Sequence, residues 1–332
     1  MNMSEKKRIR ALGLCSGGLD SILSALVLRE QGIEVEWIAF ETPFFSSRNA
    51  FEASARADIP LRVKNITPMY LVMLRNPPAG YGKNMNPCMD CHSLMFRLAG
   101  DEMKDAGFDF LFSGEVVGQR PMSQTKQSLR YVEKHSGYEG HILRPLSAKH
   151  LPETLPEIQG KVNRELLLDL MGRSRKPQIE LARKFGVTRY PAPAGGCLLT
   201  DKGFSVRLKD LFHHQVDVEE SDLELLKYGR HLRLTEAVKI IVGRTREDNE
   251  SISSCYRPEK EIVLKLEKLP GPIVLMPSRA AKDLVLLAAA ICAGYAKAPM
   301  ETEVEVCIKT PGRRDTLRVI PIMPREIKHL II

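Results

Sequence analysis

No apolar run in this chain is long enough to cross a bilayer. The longest, Leu284 to Ala296, falls short of the about 20 residues that a spanning helix needs. Its alanine content favours a buried helix instead. The first residues, Met1-Asn2-Met3-Ser4-Glu5-Lys6-Lys7-Arg8, lead into an apolar stretch of only a few residues, which is not the form of a secretory signal. No membrane association is expected, and a cytoplasmic location is. There is no internal repeat and no low-complexity tract. The Gly-Lys-Ser/Thr ending of a Walker A loop is also missing.

What is present is 332 residues, enough for one large or two ordinary domains. A hydrophobic content of 43% and a charged content of 27% describe a soluble globular protein. In such a location the seven cysteines read as thiols, metal ligands or catalytic groups before disulfides. The net charge of +8 is compatible with a polyanionic partner. It is unevenly spread. Lys161 to Arg189 holds eight Lys/Arg against three Asp/Glu, whereas Asp222 to the end holds 19 against 15.

Strand and helix signals alternate through the first part. Arg10 to Cys15 reads as a buried strand, Ser21 to Glu30 as a helix ended by Gln31-Gly32, and Val35 to Phe40 as a second strand. Ala50 to Ala57 suggests a helix, Leu61 to Val63 a strand, Leu94 to Ala106 a helix and Asp109 to Gly114 a strand. That alternation predicts an α/β fold with a doubly wound parallel sheet. Two Pro/Gly-rich loops interrupt it, Asn76 to Gly82 and Pro191 to Gly196. A boundary is expected near 215–222, giving a domain 1–215 with a basic linker at 150–190. A smaller α+β domain at 222–332 follows, built from strands at Val238–Gly243, Glu261–Leu266 and Glu303–Lys309 and a helix after Ser278.

Two constellations carry chemistry. Ser16-Gly17-Gly18-Leu19-Asp20-Ser21 lies between a strand and a helix, where glycines let the backbone approach an anion and helix amides point at it. Ser16 and Ser21 add hydroxyls. Asp20 would repel bare phosphate and suits Mg²⁺ or loop fixation better; a plain tight turn is the bland alternative. The second constellation is Cys88-Met89-Asp90-Cys91-His92 with the distant Cys197. It is open to several readings: a thiolate-bound iron–sulfur cluster, a structural zinc site completed by His92, a haem attachment pattern that would require export, or unliganded thiols. Cys15 and Cys292 read as packing residues, and Cys255 and Cys307 have no partner spacing.

The Ser-Gly-Gly-Leu-Asp-Ser segment resembles the PP-loop of the adenine nucleotide alpha hydrolase-like ATP pyrophosphatases, which adenylate a carbonyl oxygen and release pyrophosphate. With Asn86-Pro87-Cys88-Met89-Asp90-Cys91 and Gly195-Gly196-Cys197, residues 8–212 are similar to the tRNA thiouridine synthetases. This resemblance implies a Rossmann-like fold and an enzyme that makes thiouridine in tRNA with ATP and Mg²⁺. It places ATP on Ser16, Gly17, Gly18, Leu19, Asp20, Ser21, Phe40, Ser113, Gly114 and Gln119. Catalysis is placed on Asp20, Cys88, Cys91 and Cys197. Common bacterial 2-thiouridine synthetases carry aspartate where Cys88 stands and use a persulfide. Three cysteines are instead the pattern of relatives that bind a [4Fe-4S] cluster, leaving one iron open. A hydrosulfide ion or a sulfur-carrier protein is the expected donor, and a homodimer is allowed. Left open beside this are a cluster-free persulfide enzyme and a non-catalytic RNA-binding protein with zinc.

Arg144, Lys149, Arg173, Arg175, Lys176 and Arg244 are the candidate RNA contacts; the Arg144-to-Lys149 turn could equally face nucleotide, and Arg173 to Lys176 are weighed against an ordinary solvated helix face. Gly229-Arg230-His231, Ile241 to Arg244 with Asn249, and the Ser278-to-Lys297 helix give the C-terminal part a weaker similarity to the NFACT RNA-binding domain.

Overall fold

Strand β1 (Arg10–Leu14) is the middle of a five-stranded sheet. Helix α1 (Leu19–Arg29) carries the chain to β2 (Glu34–Glu41), and α2 (Arg48–Ala57) carries it to β3 (Leu61–Asn65). Helices α3 (Thr67–Arg75) and α4 (Cys88–Asp105) then cross back to β4 (Phe110–Ser113), and α5 (Lys126–Ser136) leads to the short β5 (Ile142–Leu143). The order is β3-β2-β1-β4-β5, with every pairing parallel. Leu14 pairs with Ser113 at the carboxyl edge, between strands whose connections run to opposite sides. In an open α/β sheet that switch point is where ligands are held. The expected doubly wound parallel sheet is therefore present.

A computed structural model describes residues 8–192, 196–296, 298–299, 301–310 and 312–332. The chain divides into the units Met1–Thr200 and Asp201–Ile332. The first is filled by Leu19, Leu23, Trp37, Phe110 and Phe112, all within 1% of full burial. Both faces of a parallel sheet must be covered, and its strands are correspondingly apolar. The 150–190 segment contributes the short α6 (Leu155–Ile158) and α7 (Lys176–Lys184), and its Leu167 and Ala182 enter the same core. It is part of the first unit and not a linker.

The boundary falls between Thr200 and Asp201, not at 215–222. Helix α8 (Lys202–His214) goes with the second unit because Asp210 is the counter-ion of its strands. Arg233 Nε donates to Asp210 at 3.0 Å, and Lys239 Nζ lies 3.9 Å away. After α9 (Glu220–Leu225) come β6 (Arg230–Arg233), β7 (Lys239–Val242), α10 (Arg246–Ser254), β8 (Glu261–Leu266), β9 (Val274–Pro277), α11 (Lys282–Tyr295), β10 (Val304–Thr310) and β11 (Arg313–Val319). The six strands form an antiparallel sheet in the order β11-β10-β8-β9-β7-β6. Ile240, Val242, Ile262, Leu264, Val274 and Met276 share a core with α11. The alternate residues Ile241, Val263 and Leu275 share one with Leu225 and Ile252. That strict alternation fixes the register, since a one-residue slip would exchange the two faces. The smaller α+β domain is as expected. Its strands β6 and β11 carry too little apolar pattern to be read from sequence, and β9 is a short apolar run between two prolines, Pro272 and Pro277.

Candidate active site

The loop after β1 is shaped by two close approaches. Gly17 has φ +73°, and a Cβ there would lie 2.2 Å from the Asn49 backbone. Gly114, after β4, would bring a Cβ within 2.3 Å of the Asp20 backbone. Only glycine allows the two loops to touch. Gly18 caps α1 without any side-chain cap bond, so the first-turn amides are left to a ligand or water. Ser21 Oγ donates to the Gly18 carbonyl at 2.8 Å, and the Ser16 side chain is exposed.

Asp20 Oδ2 accepts from Gln119 Nε2 at 2.9 Å, whereas Oδ1 is buried with no hydrogen-bond partner among the described residues. Burial raises the Asp20 pKa, opposed by the Gln119 bond and the charges of Arg175 and Arg120. A buried carboxylate oxygen without a donor fits a cation, so Mg²⁺ suits this residue better than phosphate does. Ser113 is buried, with its hydroxyl committed to Glu115 Oε2 at 3.1 Å. Phe40 is buried near the end of β2.

Helix α4 begins at Cys88, not at Leu94. It starts directly behind Pro87, whose carbonyl accepts from the Cys91 amide at 2.8 Å. Cys88, Cys91 and His92 therefore stand at i, i+3 and i+4, on one helix face. Cys197 is brought to them by two bonds. The Leu198 amide donates to the Phe44 carbonyl at 3.0 Å, and Asn84 Nδ2 donates to the Thr200 carbonyl at 2.7 Å. Gly195 of the quoted motif lies outside the described residues.

All three cysteines are free thiols. Burial raises the Cys91 pKa, and the charges of Cys197 and Cys88 raise it further. Burial pushes Cys197 up to about 11, with Cys88 adding to the effect. Asn86 Nδ2 lies 3.3 Å from Cys88 Sγ. Tyr70, 1% exposed on α3, donates its hydroxyl to Cys91. Three sulfurs that oppose one another's ionisation are stabilised as thiolates by a positive centre among them. Among the described residues no three His, Cys, Asp or Glu side chains stand close enough to hold one metal ion. Thiolates on a single zinc, with Zn–S near 2.3 Å, would be only about 3.8 Å apart. Cysteine thiolates are soft donors of the kind that hold either zinc or an iron–sulfur cluster.

Behind the thiols lies a buried charged network. His92 Nδ1 is 2.9 Å from Glu115 Oε1, and Arg144 Nε donates to Glu115 Oε2 at 3.0 Å. Burial alone would raise the Glu115 pKa, but Arg144 and His92 outweigh it and bring it down to about 2. Arg144 is 2% exposed and also pairs with Glu133, so it cannot face RNA, and that expectation is corrected. Asp90, between the two cysteines, accepts from the Ala79 amide and from Tyr131 Oη, which ties the proline-rich loop and α5 to α4.

Among the remaining basic candidates, Arg173, Lys149, Lys176 and Arg244 are exposed. Lys149 Nζ donates to the Glu165 carbonyl, and Arg244 is paired with Asp248 at 2.7 Å. Arg175 is only partly exposed. Tyr70 and Glu115 are the residues that sequence reasoning missed, and Arg144 was read in another role. For Tyr70 a signal existed, because proline at the start of Thr67-Pro68 is a helix-opening mark.

The first unit is a Rossmann-like α/β unit, with the strand order β3-β2-β1-β4-β5. Residues 7–151 match the family model described as thiamine biosynthesis protein (ThiI), and residues 229–331 match the NFACT protein RNA binding domain. A protein named probable tRNA sulfurtransferase, from Finegoldia magna, is 27% identical over 155 residues, covering 44% of this chain and 38% of its own. The tRNA-specific 2-thiouridylase MnmA of Pseudomonas putida is 24% identical over 250 residues, covering 69% and 62%. The crystal structure of a 4-thiouridine synthetase–RNA complex with bound ATP aligns with a TM-score of 0.33 and 20% identity, covering 55% and 54%. The chain thus spans less than two thirds of the length of each of these relatives. Among the described residues no helix is long and apolar enough to cross a membrane.

Proposed function

We propose that the protein is an ATP-dependent tRNA sulfurtransferase that replaces a uridine carbonyl oxygen with sulfur. The observation that carries this reading is the placement, within one unit, of a phosphate-binding loop and three free cysteines. The relatives named as tRNA sulfurtransferase and 2-thiouridylase support the same substrate class. The Gly17–Ser21 backbone and the α1 amides would hold the phosphates of ATP, and Asp20 would hold Mg²⁺. The uridine oxygen attacks the α-phosphorus, expelling pyrophosphate and leaving an adenylated base. A hydrosulfide-level sulfur then attacks the same carbon, AMP departs with the C–O bonding pair, and the S–H proton is lost to give the thiocarbonyl. Adenylation turns a poor leaving oxygen into a good one. The target base must leave its stack to be reached.

Cys88, Cys91 and Cys197 would hold a [4Fe-4S] cluster, which when bound supplies an open iron for the incoming sulfur. The chain's own part is to present three thiolates, with Tyr70 donating to Cys91. The sulfur would come from hydrosulfide or a sulfur-carrier protein. RNA would dock on the exposed Arg173, Lys176, Lys149 and Arg244 and on the second unit, for which the NFACT match is the support.

Anaerobic purification tests the cluster: a brown protein with matching iron and sulfide supports it, and a colourless active enzyme carrying a persulfide replaces it with the cluster-free form. Full activity in Cys88→Ala would remove Cys88 as a ligand and the cluster with it. Mass spectrometry of tRNA nucleosides from a deletion strain tests the reaction, and unchanged thiouridine there would overturn it.

A further inference from the structure

The segment before α7 runs beside the β4 loop and not out into solvent. The Gly172 amide donates to the Val117 carbonyl at 2.8 Å, and Met171 forms a parallel bridge with Val117. A Cβ on Gly118 would lie 3.5 Å from Gly172. The next residue, Gln119, is bonded to Asp20, and α7 itself packs on α1. The helix that follows Arg175 therefore opens close to the phosphate loop.

Three side chains there have polar atoms that are buried and unsatisfied among the described residues: Asp20 Oδ1, Arg175 Nε and both amide atoms of Gln178. Gln178 is 1% exposed. It stands one turn beyond Arg175 on the same face of α7. Native proteins rarely leave such atoms unpaired, and several together mark a place that a polar ligand fills. Of the first-turn amides of α7, that of Lys176 donates to Ser174 Oγ at 3.4 Å, that of Ile179 donates to the Arg175 carbonyl, and Pro177 has none. Arg175 Nε is buried and Arg175 is only partly exposed, whereas Arg173 and Lys176 are exposed and open to an RNA backbone.

We propose that Arg175, with Gln178, positions the polyphosphate of the nucleotide and is not an RNA contact. This rests on the nucleotide-site reading above. Its planar guanidinium suits a bidentate grip on phosphate oxygens, balancing the charge that Asp20 brings to the site.

The test is calorimetric binding of Mg-ATP and of pyrophosphate, with tRNA binding measured in parallel across a salt series. Arg175→Gln should weaken both small ligands by about tenfold or more, the scale of one charged contact, with tRNA affinity within about twofold. Arg175→Lys should recover part of the loss, which also answers any doubt about folding. Arg173→Gln should do the reverse, sparing ATP and lowering the salt dependence of tRNA binding. Gln178→Leu should keep or raise the melting temperature, because it removes an unpaired buried amide, yet weaken ATP binding. Unchanged ATP and pyrophosphate affinity in Arg175→Gln, with the wild type binding both, overturns the assignment alone. A wild-type protein that binds neither ligand overturns the nucleotide reading and this assignment with it.

Discussion

The phosphate loop occupies six consecutive residues, Ser16 to Ser21, whereas the cysteine site joins two segments far apart in the chain. The proposed loop chemistry rests on backbone amides and glycine geometry, and Ser21 and Asp20 bond to Gly18 and Gln119. The cysteine site works through side chains, and its shape depends on which carbonyls the Cys197 segment finds. A local site of the first kind is damaged by changes in backbone space. A composite site of the second kind is damaged by losing one chemical group, with little effect on the fold. The two meet at Ser113–Glu115, where Gly114 touches Asp20 and Glu115 reaches His92.

The largest expected effect is on the composite site alone. Cys197→Ser should reduce sulfur incorporation by more than about a hundredfold while ATP binding stays within about twofold. Loss of ATP binding in that variant would break the separation between the two sites. Arg144→Met acts on the shared scaffold. It leaves Glu115 buried without its main counter-ion and should cost about 3–5 kcal/mol in urea denaturation, depressing both functions together. A cost below about 1 kcal/mol would show that the pair is not what joins the sites.

Gly114→Ala addresses the loop. Its new methyl meets the Asp20 backbone at 2.3 Å, so a loss of about 1–3 kcal/mol and weaker ATP binding are expected, with iron and sulfide content unchanged. The smallest effect is the acid limb of stability. The Glu115 pKa is lowered from 4.5 to about 2, so its contribution is complete above the unfolded value and is lost as pH falls through that interval. An Arg144→Met protein should lack this component of the limb in a pH series of thermal melts. An identical limb would assign it to other carboxylates.

Much of the first unit was legible because its strands are short apolar runs and its helices end in recognisable stops. Gln31-Gly32 closed α1 as expected, with Gly32 at φ +74°. Helix α4 was misplaced because its first turn, Cys88 to Cys91, has no apolar periodicity and follows a proline-rich loop. The charge of Arg144 suggested a nucleic-acid contact, since sequence does not show that a cation immediately after a short strand is enclosed by Glu115 and Glu133. In the second unit the apolar helix and β8 stood out. β11 did not, because its charged residues, Arg313, Arg314 and Arg318, suit an edge strand exposed to water.

The sequence by itself determined the strand, glycine turn and helix at Arg10–Arg29, because that succession leaves the backbone few alternatives. It also named the three cysteines, as a set of residue types. Only the tertiary structure decided that Cys197 meets Cys88 and Cys91, that Tyr70 joins them, that Arg144 is a buried counter-ion, and that Arg175 lies beside Asp20. Those pairings depend on long-range hydrogen bonds and on how α7 and α4 pack against the sheet, which no local pattern of residues encodes.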